Sequence, residues 1–572
     1  MWKLYIAALM VVAMAACGQP GGEQAAQLES TLAQCDIVIT NNYLHFPVGI
    51  DTLRREVRIL DDNAMFRYFD IEIPKNGETL QYWASVDVSQ HKGKTLTMTI
   101  DPPADEKLLD VVEQGSKARV PGNIYQEKYR PQFHFSPQLG WTNDPNGLVY
   151  YDGEFHLFFQ HNPYGVYWGN MTWGHAVSPD MVHWEEIGDA LHPDITGTMY
   201  SGSAVVDHKN TSGLQKDGVP AMAAFYTSAG AHSYDERPFT QSMAYSTDKG
   251  RSWTKYEKPV VEYIAKGNRD PKVFWHDATQ KWVMVLYLDR GNFVIFGSDN
   301  LKDWTKLSDL PFPKGHECPE LFELAVDGNA DNTRWVMWEG GGRHLIGRFD
   351  GATFTPETDV LASEWGPNCY AAQTYNDMPD GRRILIGWMR SGKAGHEKFF
   401  PGMPFNQQMT FPREFSLRTT GEGTRLFARP AKEIESLYRQ RHNLENMTLG
   451  SGSNPLADIT GELFDIEMEL EPGSASIVTL NVLGTPITYD TAARKLTCLE
   501  KTVEIAPDAG DTLSLRVLVD RTSIEIFAAD GRYVMSFCFM AGKNAAALSL
   551  QAGGGSARVA TLEVRELKSI WQ

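Results

Sequence analysis

The chain has 572 residues, 42% of them hydrophobic and 11% aromatic, which excludes both disorder and a helical membrane bundle and calls for several domains. A formal net charge of −19 argues against nucleic acid as a partner, because phosphate binding needs a basic surface. A neutral polymer such as a polysaccharide is not repelled, and 15 Trp and 22 Tyr offer faces that stack on sugar rings as well as fill strands.

The first element is "MWKLYIAALMVVAMAACGQP", one Lys followed by an apolar run ending in small residues. This is a secretion signal, too short for a convincing spanning helix. Cys17 follows Ala15-Ala16 as in a bacterial lipobox, so cleavage before Cys17 and lipidation of its thiol are expected; the alternative is an ordinary cleaved signal peptide. Gly18 gives no inner-membrane retention cue, which favours the outer membrane. Residues 18–35 read as a flexible tether. Cys35, Cys318, Cys369, Cys498 and Cys538 show no metal-type pair spacing. Neither a disulfide framework nor a metal centre is expected, and no cofactor.

Residues 36–120 alternate in β fashion ("DIVITNNYLHFPV", "FRYFDIEIP", "LQYWASVDVS") and predict a small β-sandwich. "DPPADEKLLDVVEQGSKARVPG" reads as a linker with a short helical turn. The stretch 125–425 then repeats one grammar five times: a polar motif, an apolar strand, a turn, a second apolar strand. The five openings are "NDPNGLVYYDGEFHLFFQ", "YSGSAVVDHKNTSG", "RDPKVFWHDATQKWVMVLYL", "ECPELFELAVDGNADNTRWVMWEG" and "NCYAAQTYNDMPDGRRILIGWM". Between them "SPDMVHW", "STDKGRSW" and "SDNLKDW" place a turn shortly before a Trp suited to stapling neighbouring sheets. Such repetition predicts a five-bladed β-propeller. Residues 430–572 alternate again and predict a second β-sandwich, with a hairpin turn at Ala529-Asp530-Gly531. The fold class is therefore all-β: a propeller followed by a C-terminal sandwich and preceded by a small N-terminal one.

In a propeller the first strand of each blade lines the central channel. Asp144, Ser201, Asp270, Glu317 and Tyr370, remote in sequence, should then meet in one funnel. Three carboxylates in one funnel suggest glycoside hydrolysis, one attacking or activating water and another protonating the leaving oxygen. Calcium binding is the rival, but none of the segments carries the dense alternate oxygen ligands of a calcium loop.

From residue 128 onward the chain resembles glycoside hydrolase family 32, the invertases, inulinases and levanases. The carrying motifs are "WTNDPNG" (141–147), "YWGNMTWGHAVS" (167–178), "MYSGSAVVD" (199–207), "RDPKV" (269–273), "ECPELF" (317–322) and "VDRTSIEIFAADGR" (519–532). The resemblance implies that Asp144 is the nucleophile, Glu317 the general acid and then base, and Asp270 the transition-state stabiliser. A retaining mechanism would set Asp144 and Glu317 roughly 5 Å apart. It further implies that Asn143, Gln160, Trp168, Ser201, Gly202, Arg269 and Trp388 surround a bound fructose, with Arg269 orienting hydroxyls and keeping Asp270 ionised. Glu317 should hold its proton while Asp144 is ionised, with Cys318 tuning the acid. His156, His161 and His175 are expected to serve hydrogen bonds between blades. Asn368 stands where many members carry Asp. The N-terminal sandwich resembles an accessory domain of lipoprotein fructanases of gut Bacteroidetes.

These readings converge on a retaining β-fructofuranosidase that releases fructose from levan, inulin or sucrose, with end-trimming preferred over endo-levanase action. The competing readings are a fructan-binding surface lipoprotein without activity, an arabinan or xylan enzyme, and a fructosyltransferase. The expected partners are the fructan and, through the lipid, a bacterial membrane.

Overall fold

The computed structural model describes residues 33–74, 78–102, 111–230, 236–392, 394–506, 510–542 and 546–571. Cys17 and the expected signal segment lie outside them.

The N-terminal sandwich sets the strands Ala33–Val38, Thr95–Asp101, Arg54–Asp61 and Ala64–Glu72, in that spatial order, against a sheet of Tyr82–Asp87, Tyr43–Val48 and Glu113–Gly115. Alternation drives it: Val57 and Ile59 point inward from one strand and are fully buried, while Arg54 points out. Two boundaries differ from the sequence reading. The first strand begins at Ala33, inside the expected tether, and Glu113–Gly115 pairs with Tyr43–His45 where a linker was expected. Pairing decides both, since each segment supplies hydrogen bonds to a sheet edge.

Five blades follow. Their first strands are Gly140–Tyr151, Thr198–Val206, Arg269–His276, Glu320–Val326 and Tyr370–Thr374. The ring closes where Phe405–Asn406 pairs in parallel with Gly140 and Trp141 of the first blade. Two of the three Trp motifs act between blades, while Trp184 meets Phe135, ahead of the first blade. Trp253 of the second blade meets Phe158 of the first edge-on at 5.5 Å, and Trp304 of the third meets Phe225 of the second at 5.8 Å. The histidines differ from expectation. His156 Nδ1 and His175 Nε2 pair at 2.9 Å within the first blade, and His161 binds Asp189 of that same blade at 2.6 Å. His175 also bonds the backbone of Gly250 in the next blade, and His156 lies beside that turn.

The C-terminal sandwich has a six-stranded and a five-stranded sheet. Charged groups buried at the junction fix it to the propeller. His134 bridges Asp520 at 2.8 Å and Glu525 at 2.7 Å, and Glu525 also accepts from Arg413 Nε at 3.0 Å. Arg413 continues to Glu364 at 2.8 Å, six residues before Tyr370. The junction therefore anchors the loop that leads into the fifth blade's channel strand.

Candidate active site

The channel strands are irregular where they reach the funnel. Their pairing shifts register between Thr142 and Pro145, Met199 and Gly202, Arg269 and Lys272, and Tyr370 and Gln373. A bulge bends the strand and re-aims its side chains. Asp270 (φ 61°), Cys318 (φ 59°) and Ala371 (φ 49°) are left-handed, at roughly 1–2 kcal/mol each for residues with a Cβ. One step further down, Lys272 pairs with Glu320 at 2.9 Å and donates to Thr374 O at 2.7 Å, so the third, fourth and fifth blades are tied together beneath the site.

The resulting pocket has a volume of about 430 Å³. All five residues expected to converge from the blade openings line it: Asp144, Ser201, Asp270, Glu317 and Tyr370. Asn143, Gln160, Trp168, Arg269 and Trp388 line it too. Asp144 accepts from Ser201 Oγ at 2.5 Å and from Asn143 Nδ2 at 3.0 Å. Asn143 in turn accepts from Trp141 Nε1 at 2.8 Å, so its amide fixes the carboxylate as well as facing the pocket. Asp270 accepts from Cys318 N at 3.1 Å, and the Cys318 thiol lies 3.4 Å from Asp270 Oδ2 and 3.8 Å from Asp144 Oδ2. Burial and both carboxylates raise the thiol's pKa, so Cys318 is a neutral donor between them. Trp388 Nε1 donates to Gln407 at 3.2 Å, which sets that wall, while Trp168 stays 47% exposed.

Electrostatics corrects two expectations. Arg269 is hydrogen-bonded to Glu317 rather than to Asp270, whose charge it also faces. It grips Glu317 through Nε at 3.0 Å and through Nη2, and stands 3.7 Å from Asp270. Burial, with Glu317 and Asp144 close by, raises the pKa of Asp270 to about 7, and the Arg269 charge opposes that rise. Burial would also raise Glu317, but the Arg269 charge and hydrogen bonds and the Tyr370 hydroxyl at 2.9 Å bring its pKa below the ordinary carboxylate value. Arg269 and Tyr370 thus favour the ionised form of Glu317, against the expectation that it holds its proton. Asp144 is raised by burial, opposed by Ser201 and Asn143.

Gly202 is a further correction, because it does not line the pocket. A Cβ there would lie 1.8 Å from Phe225 O, so glycine is required by the approach of the neighbouring strand. Its N–H donates to Asn146 at 3.3 Å and its carbonyl accepts from Gln373 at 2.9 Å. Asn368 holds the rim: its Nδ2 donates to Arg390 O at 2.5 Å and its Oδ1 accepts from Cys538 N at 2.9 Å. An Asp at 368 would lose the first of these bonds.

Sequence reasoning missed Met171, Tyr200, Phe239 and Arg390 as lining residues. Met171 and Tyr200 lie inside quoted motifs and Arg390 directly follows one, so these three offered a signal. Phe239 lies in "RPFTQS", outside the repeated grammar, and offered none.

The model of the glycosyl hydrolases family 32 N-terminal domain matches residues 134–430, and that of the family 32 C-terminal domain matches 433–566. Both leave the N-terminal sandwich outside. The levanase of Bacillus subtilis (strain 168) is 39% identical over 496 residues, spanning 78% of this chain and 72% of its own. An extracellular exo-inulinase of Aspergillus niger is 35% identical over 524 residues, spanning 78% and 96%. The crystal structure of exo-inulinase from Aspergillus awamori superimposes with a TM-score of 0.71 at 32% identity, covering 78% of this chain and 100% of that one. A β-fructofuranosidase from Schwanniomyces occidentalis complexed with fructosyl-erythritol gives 0.70 at 27% identity, covering 78% and 99%.

Proposed function

The chain belongs to glycosyl hydrolase family 32 and is a glycoside hydrolase, and from that premise we propose that it cleaves β-fructans with retention, releasing fructose from chain ends. The observation that carries this reading is the meeting of Asp144, Asp270 and Glu317 in one pocket. Asp144 Oδ attacks the anomeric carbon of a terminal fructosyl unit while the bond to the leaving oxygen breaks. Glu317 supplies the proton that oxygen takes up. The ionised Glu317 then takes a proton from water, whose oxygen displaces Asp144 and regenerates the carboxylate. Asp270 hydrogen-bonds the sugar hydroxyls.

For Glu317 to act as an acid it must leave its pairing with Arg269. Substrate hydroxyls that occupy the guanidinium would weaken that hold, and expulsion of water would raise the carboxyl's pKa. Loading the acid is thus coupled to filling the pocket. Trp168 and Trp388 are the apolar walls, and Asn143, Gln160, Ser201 and Arg269 the polar contacts. End-trimming is supported by the pocket's tied-off floor and by the exo-inulinase among the relatives.

Chromatography during the first few per cent of hydrolysis of levan, inulin and sucrose tests this. Fructose alone, with polymer size falling slowly, is expected. A ladder of oligosaccharides with little fructose would replace end-trimming by internal cutting. No release from any of the three by folded protein would overturn the substrate class.

The lipobox-like Ala15-Ala16-Cys17 further supports a proposed lipid anchor at Cys17 in the outer membrane of a bacterial envelope.

A further inference from the structure

The loop 162–170, "NPYGVYWGN", carries Trp168 into the pocket and lies against the N-terminal sandwich. Tyr164 and Val166 are buried in the sandwich's own hydrophobic core, and the Tyr164 ring stacks on Phe69 with centroids 3.8 Å apart. Tyr82 of the sandwich donates its hydroxyl to Pro163 O at 3.1 Å.

The most directional contact is made by Asn170. Its Oδ1 accepts from Asp70 N at 2.8 Å and its Nδ2 donates to Asp70 O at 2.7 Å. Asp70 lies on Ala64–Glu72, the edge strand of its sheet. The Asn170 amide thus replaces one residue of a missing neighbour strand and satisfies both backbone groups of Asp70. The same Nδ2 reaches Asn162 Oδ1 at 2.9 Å, and Asn162 holds Tyr167 O at 2.8 Å, so the contact passes to the residue beside Trp168. Trp168 itself lines two spaces: the catalytic pocket, and a crevice of about 50 Å³ whose other wall includes Arg54 and Asp70 of the sandwich.

We propose that the N-terminal sandwich is a working part of the substrate cleft: through Asn170, Tyr164 and Tyr82 it positions Trp168, and so sets the width of the funnel that receives the sugar. The proposal rests on the reading above of Trp168 as a wall of the fructose pocket. Asn170 is a positioning residue, acting through Trp168. A wall holds ground state and transition state alike, so displacing it raises KM and leaves kcat nearly unchanged.

Steady-state kinetics of the full chain on sucrose and a short β-fructan test this with Asn170→Ala, Trp168→Ala and the double variant. Asn170→Ala should raise KM about fivefold with kcat within about twofold, a size typical of coupled neighbours. The double variant should be no worse than Trp168→Ala alone. Additive effects on KM, or an unchanged KM in folded Asn170→Ala, would overturn the proposal. If Trp168→Ala leaves KM unchanged, the wall reading itself fails and the proposal with it, a result distinct from additivity. Should Asn170→Ala not fold, Tyr82→Phe removes one hydroxyl from the same contact. It should raise KM without lowering kcat, and an unchanged KM there counts against the proposal.

Discussion

Arg269 of the third blade and Glu317, just ahead of the fourth, form a two-point ion pair across the pocket mouth, with Arg269 Nε 3.0 Å from Glu317 Oε2. Asp270, next to Arg269 in sequence, is farther from that nitrogen, at 3.7 Å. The cation thus stabilises negative charge on the carboxylate proposed as the general acid. Arg269 lowers the pKa of both Glu317 and Asp270. Arg269→Gln should therefore raise both, and an acid of higher pKa keeps its proton to higher pH. The alkaline limb of the kcat/KM profile should move upward, while its maximum falls about tenfold or more from lost charged hydrogen bonds. An unmoved limb would show that this pair does not govern the free enzyme's titration.

The roles proposed for the three carboxylates are separable by substitution. Glu317→Gln and Asp270→Asn should each lower kcat/KM by about 10²–10⁴-fold, and Asp144→Asn by at least as much, with melting temperatures close to the parent. Proton NMR of the first product should show the β-anomer of fructose. Near-normal turnover in folded Asp144→Asn, or the α-anomer appearing first, would remove the nucleophile assignment.

Gly202→Ala separates packing from binding. The added Cβ meets the Phe225 carbonyl oxygen, a backbone atom, at 1.8 Å, so one of the two strands must shift. The expected loss is about 2–4 kcal/mol of unfolding free energy. Denaturant melts should show it, and an unchanged midpoint would mean that the strand yields freely.

His134 makes the junction with the C-terminal sandwich pH-dependent. Burial alone would lower its pKa, but the hydrogen bonds its ring donates to the Asp520 and Glu525 carboxylates raise it from 6.5 to about 9. A raised pKa contributes stability that is complete below about pH 6.5 and lost as pH climbs through about 9. Glu525 runs the other way: its pKa falls from 4.5 to about 2 despite burial, through Arg413 and His134, so its contribution disappears only as pH drops through that range. Melting temperature should be highest between about pH 4.5 and 6.5 from these two groups. His134→Gln should flatten the alkaline side, and an equally steep fall in that variant would place its cause elsewhere.

The lipid anchor proposed for Cys17 is tested by Cys17→Ser, which should move the protein from the membrane to the soluble fraction. Unchanged fractionation, with no lipid mass on the mature N-terminus, would end that idea.

Alternation and repetition are local properties, so the three β units and the five-fold grammar from "NDPNG" to "NCYAAQ" could be read directly from the chain. The same grammar predicted that Asp144, Ser201, Asp270, Glu317 and Tyr370 meet, because a propeller brings equivalent strand positions to one axis. The sequence could not decide which partner a charge selects. Arg269 sits beside Asp270 in the chain, yet the bulge at Arg269 and the left-handed turn at Asp270 direct its guanidinium to Glu317. Nor did "GSA" tell a sugar contact from close packing at Gly202, since only the Phe225 strand supplies the reason. Phe239 reaches the pocket from outside the repeat, and Asn170 meets Asp70 across 100 residues. Strand pattern depends on neighbours two residues apart, whereas hydrogen-bond choice, pKa and loop bracing depend on distances that exist only once the sheets have packed.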